Sequence, residues 1–169
     1  GNIIPLSDAK INILSPTSQF GANVFEGIRG YWNKDEKQLY IFRLNDHIIR
    51  LLNSIKMMRF ENKFSFEFLC KSLIEVVTKN SYEDDITIRQ TVFLDGNGSW
   101  FSTKPIEMFI APIIKKRYLG NDKNGIHCCI SSWERINDNS LSPKIKVGAN
   151  YINSRAGQLE AKRNSYDLP

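Results

Sequence analysis

Two lysines form the clearest chemical feature of the sequence. Lys144 and Lys146 alternate with the apolar residues Ile145 and Val147, and small residues then lead into a helix. If the segment is extended, both lysines share one face. Apolar neighbours exclude water from an ammonium group and favour the neutral amine, which is the form that Schiff-base chemistry requires. Two exposed lysines on an edge strand would give the same pattern, so both interpretations stay open.

A strand pattern at residues 24–29 offers a second group of candidate residues. Strand alternation places Phe25, Gly27 and Arg29 on one face. A ring, a gap and a cation together suit an apolar substrate that carries a carboxylate. The alternative interpretation is a half-buried strand with a surface arginine.

Two further arginines could bind anionic groups. Arg50 lies on the polar face of a helix predicted at residues 45–60, where its guanidinium could offer paired donors to a phosphate. Arg89 faces outward from a strand predicted at residues 86–94, where it could reach a substrate carboxylate. For each arginine, the alternative is an ordinary solvated surface position.

The elements that must position these residues are predicted from hydrophobic periodicity and turn signals. Apolar residues at three- and four-residue spacing indicate helices, for which Asn45 and Ser65 are candidate caps. Strands joined by hairpins, with two helices grouped together, indicate an α+β first domain. The predicted strands cover residues 22–31, 38–43, 86–94, 106–114 and 126–133, and the predicted helices cover residues 45–60, 65–79 and 152–164.

A polar stretch before residue 126 predicts a domain boundary. We expect a small N-terminal domain at residues 1–117, an interdomain loop at residues 118–125 and the start of a larger domain at residues 126–169. About 44 residues are too few to bury a core of their own. We therefore expect a fragment of a longer protein, or a partner segment that completes the second domain.

Composition narrows the class of protein. The net charge of +5 is scattered, without the basic stripe and exposed aromatics of a nucleic-acid-binding module. Three cysteines and two histidines show no metal-ligand spacing. We expect the thiols to be reduced, which favours a cytoplasmic protein. The sequence has neither an apolar run long enough to cross a bilayer nor the features of a signal peptide.

Several segments, in the same order and at the same spacing, resemble branched-chain amino acid aminotransferases. Each match is weak alone, but matches in register over nearly the whole chain make a strong signal. The segments are FGANVFEGIRGY at residues 20–31, IFRLNDH at 41–47 with its continuation to 56, SSWER at 131–135, KVGANY at 146–151 and QLEAKR at 158–163.

The resemblance implies a fold-type IV enzyme in which a small N-terminal α/β domain precedes a larger C-terminal domain, with pyridoxal 5'-phosphate as cofactor. By position, Lys146 would hold the cofactor covalently, Arg50 would bind its phosphate and Tyr151 would hydrogen-bond its ring oxygen. Arg89 matches a position that meets the side-chain carboxylate of glutamate. The other positions that line the family's substrate pocket correspond to Phe25, Gly27, Arg29 and Tyr118.

The activity implied by the resemblance is transamination between branched-chain L-amino acids and 2-oxoglutarate. The family also implies a homodimer that acts on small-molecule amino acids and keto acids, and we expect neither nucleic acid nor a membrane as a partner. Phe20 and Thr87 stand where the family has tyrosines that assist carboxylate recognition. These departures leave open a D-amino-acid or amine aminotransferase, or an aminodeoxychorismate lyase, of the same fold. A truncated non-catalytic homologue is a further alternative.

Overall fold

A four-stranded antiparallel sheet with two helices on one face forms the first part of the chain. The computed structural model describes residues 1–114 and 125–169. The sheet has the strand order β2-β1-β3-β4. The strands are β1 (Asn23–Asn33), β2 (Gln38–Ile41), β3 (Ile86–Leu94) and β4 (Ile106–Ile114), and the helices are α1 (Pro16–Phe20), α2 (Leu44–Met57), α3 (Phe66–Asn80) and α4 (Asn150–Arg163). The α+β prediction is confirmed.

The register between β1 and β3 decides which side chains face the helices. Val24 pairs with Val92, and Ile28 pairs with Ile88. All four side chains are fully buried in the core between the sheet and helices α2 and α3. Burial of such a side chain stabilises the fold by about 1.5–3 kcal/mol. The alternation predicted for these two strands is therefore confirmed, and the odd-numbered residues of the two strands, such as Gly27 and Arg89, lie on the opposite face.

The two helices that cover the sheet begin in different ways. Ser65 caps α3 as predicted, because its Oγ accepts a hydrogen bond from the backbone amide of Phe68 at 3.1 Å. The prediction that Asn45 caps α2 is wrong, since that helix begins one residue earlier. Arg43 precedes α2 in the left-handed conformation, and its Nε donates to Asp46 Oδ2 at 2.8 Å. This contact with Arg43 lowers the pKa of Asp46.

Residues 126–133 do not form the predicted strand. Within the described ranges they contain only an isolated bridge between Cys128 and Leu168. A strand needs a neighbouring ladder for its backbone groups, and the described part of the chain places only this short contact beside it. Among the described residues, no helix is long and apolar enough to cross a membrane.

Candidate active site

The backbone of Lys146 is held between strand β1 and helix α2. Its amide donates to Ser54 Oγ at 3.2 Å, and its carbonyl accepts from the Phe25 amide at 3.0 Å. Val24 and Val147, which are both buried, form an antiparallel bridge beside it. The lysine segment is thus fixed on two sides by elements of the first part of the chain.

Gly148 allows this close approach to β1. Its amide donates to the carbonyl of Asn23 at 3.2 Å. A Cβ atom at Gly148 would lie 2.6 Å from Asn23 Oδ1, which is far inside ordinary contact distance. The close packing against Asn23 therefore explains why a residue without a side chain follows Val147 at position 148.

The amine of Lys146 lies beside two aromatic rings. Its Nζ donates to the Tyr151 hydroxyl at 2.7 Å. The same nitrogen is 4.9 Å from the centroid of the Phe25 ring and 5.2 Å from that of Tyr151. The two rings contact one another with centroids 5.1 Å apart. This arrangement restricts the position of the amine and gives it a phenolic hydroxyl as a hydrogen-bond partner.

Lys144 does not share this environment. A turn forms at residues 142–145, where the Ile145 amide donates to the Ser142 carbonyl at 3.1 Å. The turn leaves Lys144 exposed, whereas Lys146 is half-buried. The extended alternation of the two lysines is therefore wrong. The apolar flank is confirmed, since Ile145 and Val147 are both buried.

Arg50 is anchored by a buried carboxylate that sequence reasoning missed. Its Nε donates to Glu26 Oε1 at 2.7 Å, and its Nη2 donates to Glu26 Oε2 at 2.5 Å. His47 Nδ1 lies 2.8 Å from the same Oε2. Glu26 is completely buried, whereas the Arg50 side chain is about half exposed. The hydrogen bond to Glu26 raises the pKa of Arg50, so this cation persists at every physiological pH.

Both Lys146 and Arg50 line a cavity of about 210 Å³. Four cations line it, and none of its lining residues, all within the described ranges, is acidic. Such a lining favours a ligand that carries several negative charges. Lys146 and Tyr151 line the same cavity. The amine of Lys146 can react with a carbonyl, and the phenol of Tyr151 can orient an oxygen. The four cations are Arg50, Arg135, Lys144 and Lys146.

The remaining candidate residues lie on the open face of the sheet. Gly27 pairs with Arg89 across β1 and β3, and a Cβ atom at Gly27 would meet nothing within 4 Å. The Arg89 guanidinium lies 4.2 Å from the centroid of the Phe25 ring. Arg29 Nη1 donates to Thr87 Oγ1 at 2.9 Å. Gly27 therefore leaves a bare strip on this face of the sheet, beside Arg89 and before Arg29. The strip extends along β1 away from Lys146.

The structure brings most of the predicted site residues together. Phe25 links Arg89 to Lys146, and Arg50 lines the same cavity as Lys146. Arg29 lies four residues along β1 from Phe25, or roughly 13 Å at the usual strand rise. Tyr118 falls outside the described residues. Sequence reasoning assigned no role to five polar residues that contact the candidates or line the cavity, namely Glu26, Ser54, Arg135, Asn150 and Ser154.

Only Glu26 carried a signal that could have been read from the sequence. It alternates with Val24 and Ile28, on the face that the helices must cover. A carboxylate cannot be buried there without a cation or several donors. The sequence did not reveal which cation, because Arg50 belongs to another element.

Comparison with known proteins identifies the chain's relatives. The family model described as "Amino-transferase class IV" matches residues 23–168. A probable branched-chain-amino-acid aminotransferase of Aquifex aeolicus is 34% identical over 173 residues, which cover 99% of this chain and 54% of that protein. The chain therefore spans about half the length of the curated relatives it matches.

Solved structures agree with the sequence comparison. A branched-chain aminotransferase from the archaeon Thermoproteus uzoniensis, crystallised with norvaline, superposes with a TM-score of 0.91 at 32% identity, covering 99% of this chain and 56% of that one. The branched-chain amino acid aminotransferase from Thermobaculum terrenum, in its holo-form with pyridoxal phosphate, has a TM-score of 0.87 at 38% identity, covering 98% and 54%. The described fold is thus shared with half of each of these enzymes.

Proposed function

Because this chain belongs to the class IV amino-transferase family, we propose that its protein is a pyridoxal-phosphate-dependent aminotransferase that transfers amino groups from branched-chain L-amino acids to 2-oxoglutarate. The observation that carries the proposal is the contact between Lys146 Nζ and the Tyr151 hydroxyl at 2.7 Å, in a cavity that Arg50 also lines. The names of the relatives support both the reaction and the substrate class.

The residues of the cavity fit pyridoxal phosphate. Lys146 offers an amine for the aldehyde, and Arg50 offers a guanidinium whose Nε and Nη2 edge is already bound to Glu26. Within the described residues, Arg50 Nη1 makes no hydrogen bond, so that edge suits a phosphate oxygen. Tyr151 would donate to the ring oxygen. When bound, the cofactor supplies an aldehyde for the lysine and an electron-poor ring that stabilises charge at the substrate α-carbon.

The chemistry assigned to this chain is the movement of one proton by Lys146. With the cofactor bound, its Nζ would be the base that takes the proton from the substrate α-carbon and returns it on the product side. The rings of Phe25 and Tyr151 restrict where Nζ can lie. Correct placement of a base accelerates proton transfer by about 10²–10⁴-fold.

The open face of the sheet suits the substrate. The bare strip at Gly27 leaves room for an apolar side chain next to the Phe25 ring. Arg89, beside the same ring, would bind the side-chain carboxylate of the acceptor together with Arg29, its diagonal neighbour across β1 and β3. We propose that Tyr118 completes this pocket. The family resemblance alone supports that assignment.

A second candidate is an aminotransferase or lyase of the same family with another substrate. It is favoured by Thr87, which stands where the family has a tyrosine and accepts a hydrogen bond from Arg29. A donor panel with leucine, D-alanine and an aryl amine would separate the two candidates. We expect turnover with leucine. A preference for D-alanine or the amine would replace the branched-chain proposal.

The domain division and the assembly are also proposals. Residues 1–117, 118–125 and 126–169 would form the small domain, the interdomain loop and the start of the larger domain. We propose a homodimer in the cytoplasm. Trp100 and Phe101, in the β3–β4 hairpin, are 73% and 70% exposed and suit burial against another surface. Light scattering of the purified natural protein would show twice the chain mass, and a monomer would contradict the proposal.

One experiment tests the cofactor and the lysine together. The natural full-length protein and its Lys146→Ala variant are incubated with pyridoxal phosphate, reduced with borohydride and mapped by peptide mass. We expect a visible absorbance band in the wild type, with the reduced cofactor on Lys146, and no linkage in the variant. Lys144→Ala, at the exposed lysine of the same cavity, is the matched control and retains the linkage on Lys146. A wild type that forms no linkage contradicts the proposed function.

A further inference from the structure

Ser54 is a buried polar residue that takes no part in the proton transfer proposed for Lys146. Its side chain is 1% exposed in α2, among the core residues Leu51 and Ile55. Its Oγ accepts the hydrogen bond of the Lys146 amide at 3.2 Å, across 92 positions of sequence. A hydroxyl in an apolar core is costly unless it is hydrogen-bonded. This hydroxyl meets the backbone of the reactive lysine.

The same face of α2 also carries the proposed phosphate contact. Arg50 and Ser54 are four residues apart, so they share one helix face and are separated by about 6 Å along the axis. Arg50 is fixed in turn by the buried Glu26 of β1. One rigid turn of helix therefore connects the phosphate contact to the lysine backbone.

Strand β1 holds the other side of the lysine. The Phe25 amide donates to the Lys146 carbonyl at 3.0 Å, while Ser54 takes the Lys146 amide. The two contacts act on either side of the same Cα atom, so together they set the direction in which the side chain leaves the backbone. Loss of either contact would let the residue rotate.

From this geometry we propose that Ser54 is a positioning residue that sets the distance between the Lys146 amine and the phosphate bound by Arg50. The proposal rests on the proposed function. Ser54 does not touch the cofactor or the substrate in this role. It acts through the lysine backbone, and the substrate contacts on β1 and β3 do not depend on it.

Removal of the hydroxyl should therefore impair the lysine more than the substrate pocket. Ser54→Ala leaves the part-buried Lys146 amide without this partner, and a displacement of about 1 Å at a reacting group can cost about 10²-fold in rate. We expect kcat to fall about 10- to 100-fold while the KM for leucine changes less than about threefold. We also expect slower borohydride trapping of the cofactor and a shifted pH midpoint of its visible absorbance band.

The test compares Ser54→Ala with two further variants in the cofactor-loaded full-length protein. Ser54→Thr keeps the oxygen acceptor and should restore most of the trapping rate. Asn53→Ala removes an exposed neighbour on α2 and should behave as wild type. If Ser54→Ala does not fold, Ser54→Cys retains the volume with a weaker acceptor and must show the same shift in pH midpoint.

The outcomes separate this proposal from the function on which it rests. If the wild type carries the cofactor on Lys146, and Ser54→Ala or Ser54→Cys matches its trapping rate, pH midpoint and kcat, the positioning role is wrong while the function stands. If the wild type never forms the lysine linkage, the proposed function fails, and the positioning role fails with it. A slowed Ser54→Ala with a restored Ser54→Thr supports both.

Discussion

Glu26 and Arg50 form a two-point contact in which a completely buried carboxylate holds a half-exposed guanidinium. His47 adds a third contact to the same carboxylate, 2.8 Å from Oε2. The carboxylate projects from β1 towards the helices, on the face opposite Phe25. A single strand thus anchors the proposed phosphate contact on one face and contacts Lys146, the proposed reactive lysine, from the other.

Glu26→Gln should weaken both the fold and the cofactor site. A hydrogen bond to a charged group contributes about 1.5–3 kcal/mol, so we expect the free energy of unfolding to fall by about 2 kcal/mol. Urea unfolding measures this change. Glu107→Gln is the control, since its contact with Lys63 lies between two half-exposed side chains and contributes about 0–1 kcal/mol. Equal losses in the two variants would show that the burial of Glu26 has no special role.

The sheet and its two covering helices could be predicted from the sequence because their signals are local. Alternation in β3 and the apolar stripe of α2 each lie within one element, and Ser65 caps the helix that it precedes. The contacts that complete the site are not local. Ser54 meets Lys146 across 92 positions, and no pattern around Ser54 indicates that partner.

The errors in the second part of the chain have a physical cause. The alternation at Lys144 and Lys146 is typical of a strand, but Pro143 and the hydrogen bonds to Ser142 close a turn there. Residues 126–133 have the composition of a strand, yet the described residues provide only Leu168 as a bridge partner. Strand formation depends on a neighbour, which periodicity does not reveal.

Arg50→Lys should weaken binding of the cofactor phosphate. Lysine retains the charge but cannot bind Glu26 through two parallel donors while offering a further edge to phosphate. We expect the Kd of pyridoxal phosphate to rise about tenfold, which corresponds to about 1.4 kcal/mol. Equilibrium titration by absorbance measures it. Pyridoxal without the phosphate is the control ligand, and its affinity should change little. An equal loss for both ligands would place Arg50 elsewhere in the site.

Tyr151→Phe should affect the amine and leave the packing intact. The variant keeps the ring that contacts Phe25 but removes the hydroxyl 2.7 Å from Lys146 Nζ. We expect kcat to fall about tenfold, because Tyr151 would donate to the ring oxygen of the cofactor and a hydrogen bond contributes roughly 0.5–1.5 kcal/mol. The pH midpoint of the visible band should shift as well. Tyr166→Phe, at an exposed tyrosine, is the control, and an unchanged kcat and midpoint in Tyr151→Phe would exclude the hydroxyl from the reaction.

The contribution of the contact between α4 and residues 131–132 to stability should depend on pH through Glu160. Its Oε2 accepts from the Ser131 hydroxyl and from the Ser132 amide, and these contacts lower the pKa of Glu160. A carboxyl group with a lowered folded-state pKa stabilises the fold above its unfolded pKa, and this contribution is lost as the pH falls through the folded value. We expect Glu160→Gln to unfold more easily than wild type at pH 7. The difference should shrink below about pH 4, and a difference that does not change with pH would refute the assignment.

Thr87→Val should separate recognition of the acceptor from recognition of the donor. The substitution keeps the branched shape but removes the Oγ1 that accepts from Arg29 Nη1 at 2.9 Å. Arg29 then has more freedom on the open face, whereas the bare strip at Gly27 and the Phe25 ring are unaffected. We expect the KM for 2-oxoglutarate to rise about tenfold, since a charge-assisted hydrogen bond contributes about 1.5 kcal/mol. The KM for leucine should change less than about twofold in the same preparation, which makes the donor an internal control. Equal changes in both values would mean that Thr87 supports the sheet and does not select the carboxylate.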